Sequence, residues 1–250
     1  MAILKLGIDS NKELNLEGHF NFRENVFLND KKARRRVHDF IYHNDSSICW
    51  ILGDSFVEYN LNYVQHYLNK YNRKAVFMSL GGSGVYYSFL RFLNIEDLIK
   101  PYHTMLVGVS GHLRDFFDHY HIHSFDNINT SRKKKPSEAF IEAVKLYYQE
   151  LHDFSQALTI TNTIVESFKR RALSRTKHSV FIPTITQYEA LDYEPPLFHG
   201  VMKKWYKPEK GEMIPPRTPN HWIDDKEFEK AFYKYYDSKF EVWKVPKILI

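Results

Sequence analysis

A three-layer α/β domain with a mostly parallel sheet of about five strands is the architecture this chain should adopt. Three observations point to it. Three short apolar runs, Ile48–Leu52, Ala75–Met78 and Thr104–Val107, are each closely followed by glycine: Gly53, then Gly81, Gly82 and Gly84, then Gly108 and Gly111. Buried strands that end in tight loops have this form. Between the runs, apolar residues recur at three- and four-residue spacing, in Phe56-Val57, Leu61, Val64, Tyr67-Leu68 and again in Val85, Phe89, Phe92-Leu93. Strands alternating with helices imply parallel pairing with helices on both faces. The 250 residues, 43% apolar and 26% charged, suit one globular domain with a substantial core.

Taken in order, residues 1–46 are mixed in character and read as an N-terminal extension. The three strand–helix units follow. Pro136 and Ser137 open a long helix, Ser137–Phe168, striped by Phe140, Val144, Tyr147, Leu151, Phe154, Leu158, Val165 and Phe168. Lys169, Arg170 and Arg171 suit its C-terminus. His178–Ile185 is a further strand, interrupted by Pro183. Seven of the ten prolines fall between 183 and 219, so 186–219 reads as a proline-rich insertion, mainly loop. Asp224–Tyr236 returns to helical spacing, and Val242–Ile250 reads as an edge strand or tail because of Pro246. No internal repeat divides the chain, so 1–250 is expected to be a single domain.

Composition removes several classes of function. No run reaches the ~18 apolar residues of a spanning helix, so no membrane partner is expected. The single cysteine, Cys49, cannot pair internally and lies in an apolar run, as a core residue in a reducing compartment does. Met1–Gly7 lacks the apolar stretch of a secretory signal, and a cytoplasmic location is the expectation. The formal charge of +5 is too mild to mark a nucleic-acid binder. The basic runs Lys31–Arg36 and Arg132–Lys135 read as solvated surface, without a stacking module beside them. Aromatics are heavy at 16%, which favours a ring-rich core. The abundance of Lys, Asn, Tyr and Phe points to an A·T-rich coding genome, viral or bacterial.

The chemistry-bearing residues fall where ligands bind in such sheets, at the carboxyl ends of strands. The first run ends in Gly53-Asp54-Ser55. A helix starting there would set the Ser55 hydroxyl over the sheet and offer free backbone N–H groups to a developing oxyanion. Asp54 or Ser55 as a plain helix cap is the competing reading. The second run leads to Ser79-Leu80-Gly81-Gly82-Ser83-Gly84, which lacks the Gly-Lys-Ser/Thr of a phosphate loop and the Gly-x-Gly-x-x-Gly of a dinucleotide site. The third ends in Gly108-Val109-Ser110-Gly111-His112. Far downstream, Thr218-Pro219-Asn220-His221-Trp222 precedes the last clear helix, where a histidine can reach strand ends as a general base.

In this arrangement the chain resembles the SGNH, or GDSL-type, hydrolase family over roughly residues 47–236. Gly53-Asp54-Ser55 is similar to the nucleophile block, and Ser79–Gly84 to the glycine block whose N–H donates to the oxyanion. Gly108-Val109-Ser110-Gly111 is similar to the Gly-x-Asn-Asp block, and His221 stands where the base histidine precedes the final helix. The resemblance implies a flavodoxin-like three-layer fold and a serine esterase that needs no metal or cofactor. Ser55 and His221 are the implied catalytic pair, with Gly84 and Ser110 holding the oxyanion. Asp54 and His112 join the substrate side of the site. Two positions depart from the family. Ser110 replaces the donor asparagine, a loss that typically costs ~10²–10³ in rate, with His112 a possible substitute donor. Thr218 replaces the aspartate three residues before the histidine, which leaves a Ser–His dyad, or a triad with Asp224 or Asp225 at unusual spacing.

The expected activity is hydrolysis of an ester, of the acyl or acetyl kind, on a carbohydrate or other small molecule. A non-catalytic binding or structural protein of the same fold is the alternative. Other signals have plainer readings. His119, His121 and His123 alternate and would share a strand face, a pattern open to a metal but expected of a polar loop. Gln187 and Tyr188 either border the crevice or pack a loop.

Overall fold

The computed structural model describes residues 20–21, 31–57, 62–79, 83–111, 115–116, 122–123, 138–151, 153–184, 188–192, 206–207, 212–213 and 226–245. In chain order the elements are β1 (Phe20–Asn21), α1 (Lys31–Asn44), β2 (Ile48–Leu52), α2 (Asn62–Lys70), β3 (Lys74–Phe77), α3 (Val85–Ile95) and β4 (Thr104–Val109). There follow β5 (Asp115–Phe116), β6 (Ile122–His123), α4 (Glu138–Leu146), α5 (Phe154–Arg175), β7 (His178–Pro183), β8 (Tyr206–Lys207), β9 (Glu212–Met213) and α6 (Lys226–Phe240).

The sheet is parallel throughout. Four full strands lie in the order β3-β2-β4-β7, and the two-residue β1 adds to the outer edge of β3. Every residue of β2 and β4 is buried, which is why these strands read as unbroken apolar runs: both faces are covered. Alternate side chains of β2 serve opposite layers. Ile48, Trp50 and Leu52 join Val37 and Ile41 of α1, Phe92 and Ile95 of α3, and Val165, Phe168 and Ala172 of α5 in one core. Cys49 and Ile51 join Tyr63, Val64 and Tyr67 of α2 with Phe232, Tyr236 and Phe240 of α6 in the other. Helices thus enclose the sheet on both faces. Burial pushes the Cys49 thiol up to about 12, so it is the core residue its surroundings implied.

Three expectations need correction. The stretch read as an N-terminal extension contains α1, whose Val37 and Ile41 are part of the core; the charged run Lys31–Arg36 obscured the apolar face that follows it. The single helix expected over 137–168 is two. A π-helical turn at Tyr147–Leu151 closes the first, and Asp153 caps α5 by accepting the Ser155 and Gln156 N–H groups at 2.8 and 3.0 Å. Lys169–Arg171 then lie inside α5, which runs to Arg175. In the proline-rich stretch 186–219, the described residues hold only a short 3-10 turn, Glu189–Leu191, and the two-residue antiparallel pair β8–β9, and the rest of the stretch lies outside the described residues. Finally, Glu241–Trp243 forms a 3-10 turn rather than the start of a strand.

That last turn closes the amino end of the sheet. Trp243 is 1% exposed. Its carbonyl accepts from the Arg73 guanidinium, which also donates to Ser46 O at 3.1 Å. Tyr67 stacks on Phe240, with centroids 3.6 Å apart and planes at 4°. Trp243→Ala should therefore cost about 3–5 kcal/mol, the range for a fully buried large aromatic. Denaturant unfolding of the variant checks this, and a loss under ~1 kcal/mol would contradict the packing described.

Candidate active site

The order β3-β2-β4 places the topological switch between β2 and β4, because the chain leaves β2 for one side and returns on the other. At such a point the loops leaving the two strands diverge and open a crevice at their carboxyl ends. β2 runs into Gly53-Asp54-Ser55 and β4 into Ser110-Gly111.

The two strand ends approach so closely that only glycine fits. Leu52 pairs with Val107, which sets Gly53 beside Gly108. A Cβ on Gly53 would lie 2.8 Å from Gly108 O and 2.5 Å from a methyl of Val57, and Gly53 also has φ +145°. A Cβ on Gly108 would meet both Val57 methyl groups within 3 Å. Ser55 and Ser110 each lie two residues beyond this contact.

The turn after Gly53 is built locally. Ser55–Val57 is a 3-10 turn rather than the first turn of the α-helix expected there, and α2 is described over Asn62–Lys70. Asp54 is fully buried, and its carboxylate accepts the Phe56 N–H at 3.0 Å while its carbonyl accepts the Val57 N–H at 3.2 Å. Asp54 therefore caps the turn. Tyr63 of α2 donates its hydroxyl to Phe56 O. Burial first, and then the charge of Asp54, hold the Tyr63 phenol well above its ordinary range, so it remains a donor.

The second loop is tied to the first. Ser83 Oγ donates to Gly53 O at 3.2 Å. Gly84 is the N-cap of α3, so its N–H and those of the first helical turn have no intrahelical acceptor. Arg91 of α3, itself buried, donates to Met78 O beyond β3 and to the Tyr87 hydroxyl at 2.7 Å. Met78 N–H in turn donates to Ile51 O at 2.7 Å. The ends of β3 and β2 are thereby locked together.

The third loop is held from β7. Val109 O accepts both the Thr184 N–H at 2.9 Å and the Thr184 hydroxyl at 3.1 Å. Pro183, opposite Val109, has no N–H, and Thr184 supplies the missing donors. Ser110 is fully buried, its carbonyl accepts the Tyr188 hydroxyl at 2.5 Å, and its own hydroxyl finds no hydrogen-bond partner among the described residues.

The structure thus brings the backbone of Ser55 together with Asp54, Gly84 and Ser110 around the ends of β2, β3 and β4. His112 and His221 lie outside the described residues, as do Thr218, Asp224, Asp225, Gln187, His119, His121 and Arg132–Lys135. Among the described residues no group of three or more His, Cys, Asp or Glu is placed to hold a metal ion, and no helix is long and apolar enough to cross a membrane. Tyr63, Arg91 and Thr184 were not singled out from the sequence. Each acts across elements distant in the chain, and no local pattern marks such a contact. No family model matches the chain, and no curated protein matches it either.

A second polar cluster lies at the opposite, amino end of the sheet. The buried His103, just before β4, accepts from Trp50 Nε1 at 3.0 Å and from Lys100 N–H at 3.2 Å, both at Nδ1. Its Nε2–H therefore faces the Asp45 carboxylate, at 3.2 Å. Burial lowers the imidazole from 6.5 to about 4, against the pull of Asp45. Between those values the unfolded chain binds a proton that the folded chain does not, so stability falls as the pH drops from 6.5 to about 4. The loss is on the order of 2–4 kcal/mol. Denaturant midpoints measured across this window should slope downward with acid in the wild type and flatten in His103→Gln; equal slopes would contradict the assignment.

Proposed function

We propose that the chain is a serine ester hydrolase of SGNH type, acting on an acyl or acetyl ester of a carbohydrate or other small molecule. The observation that carries the reading is the glycine-only contact between Gly53 and Gly108, which sets the turn bearing Ser55 beside Ser110 at the switch point. The strand order, with β2 central and β3 and β4 flanking it, is that of flavodoxin-like sheets. The four sequence blocks in family order add the catalytic assignment.

In this reading Ser55 Oγ attacks the ester carbonyl carbon as the His221 imidazole takes its proton. The carbonyl π electrons move to oxygen, and that oxyanion is held by the Ser55 and Gly84 N–H groups and the Ser110 hydroxyl. Collapse of the intermediate breaks the C–O bond, and the alcohol leaves with the proton from His221. Water, deprotonated by His221, then attacks the acyl carbon, the bond to Ser55 Oγ breaks as His221 returns the proton to it, and the acid is released. No cofactor takes part.

One observation favours the alternative, a binding protein that kept the fold without turnover. The Asp54 carboxylate, fully buried, accepts the Phe56 N–H and caps the turn, which is the plain structural role for the Gly53-Asp54-Ser55 block. Ser110 in place of asparagine weakens the oxyanion donors, and Thr218 in place of aspartate removes the group that would orient the histidine. Hydrolysis of p-nitrophenyl acetate by wild type, Ser55→Ala and His221→Ala separates the two. The hydrolase reading expects loss in both variants; equal rates in all three proteins support the binding protein.

A further inference from the structure

We propose that Tyr188 is a positioning residue, and that its bond to the Ser110 carbonyl sets the Ser110 hydroxyl as an oxyanion donor. The assignment rests on the hydrolase reading above. Three facts support it. Tyr188 is 1% exposed although it lies in a loop outside the sheet, so its ring is anchored and its hydroxyl has a fixed location. That hydroxyl donates to Ser110 O at 2.5 Å. One residue earlier, Val109 O is held twice by Thr184. Three hydrogen bonds from the 184–188 segment thus grip consecutive carbonyls at the end of β4.

A loop held this way has little freedom to turn Ser110. Yet the Ser110 hydroxyl, fully buried, makes no hydrogen bond among the described residues. An unmade bond on a buried hydroxyl is costly, and a local carbonyl would satisfy it if the backbone could rotate. The clamp withholds that rotation. It leaves the Ser110 hydroxyl, on a shorter side chain than the family's asparagine, free to donate without reorganisation at the moment of reaction. In this assignment Tyr188 acts through Ser110, whose carbonyl its hydroxyl holds.

The test is a double-mutant cycle on p-nitrophenyl acetate hydrolysis, with Ser55→Ala as the blank. Tyr188→Phe removes only the hydroxyl. It should lower kcat about tenfold with KM within about twofold, because the donor matters in the transition state and not in ground-state binding. Ser110→Ala should lower kcat by ~10²–10³. The double variant should be no slower than Ser110→Ala alone. Thr184→Val, which keeps the Thr184 N–H bond, is the second probe should Tyr188→Phe fold poorly, and its smaller loss should also vanish in the Ser110→Ala background. Losses that multiply in both cycles, or a Tyr188→Phe protein with unchanged kcat, overturn the assignment while the hydrolase reading stands. Absence of Ser55-dependent turnover in the wild type overturns the reading and the assignment together.

Discussion

Gly53→Ala should be among the most damaging single-methyl changes available in this protein, with a stability loss of about 3 kcal/mol or more. Two causes act together. The backbone at φ +145° is one that L side chains rarely adopt. The added Cβ also meets Val57 at 2.5 Å and the Gly108 carbonyl at 2.8 Å. A Val57 rotamer change relieves the first contact, but the second is with the backbone of a central strand and can move only if β2 and β4 part. The comparison of Gly53→Ala with Gly53→Ala/Val57→Ala isolates the two. The double variant should recover only part of the loss, and the denaturant midpoint is the measurement. Full recovery would mean that the strand ends do not touch as described.

Ser55→Ala should lower p-nitrophenyl acetate hydrolysis by on the order of 10³-fold or more, the scale of removing a covalent nucleophile. Its stability should stay within about 0.5 kcal/mol of wild type. The turn is held by its neighbours: Asp54 accepts the Phe56 and Val57 N–H groups, and Tyr63 donates to Phe56 O. The contrast between the two variants is the informative result. Gly53→Ala removes architecture and function together, whereas Ser55→Ala removes function alone.

The central strands were legible because both their faces are buried, so their apolar runs carry no alternation to misread. Gly53 and Gly108 were legible because the tight strand ends leave no room for a Cβ there. The break between α4 and α5 was missed. Leu151 and Leu158 continue an apolar stripe on paper, but they are 76% and 37% exposed. The signal that outranked the stripe was present: Asp153 followed three residues later by Gln156 is an N-terminal capping pattern. The role of α1 was obscured by its basic first turns, although Val37 and Ile41, four residues apart, mark a core-facing side. Within the candidate site, the order of the blocks was readable from sequence. Tyr188 reads from the sequence as a crevice-border or loop-packing residue, but its bond to Ser110, like the clamps at Tyr63, Arg91 and Thr184, does not, because each joins elements that only the fold brings together.

The most direct test of the central claim, that the β2–β4 switch point carries a serine nucleophile, is covalent labelling. The full chain is treated with a fluorophosphonate probe and the adduct is located by peptide mass spectrometry. A single adduct on Ser55, absent after His221→Ala or prior denaturation, is the predicted result. No adduct, or one on a different serine, would contradict it.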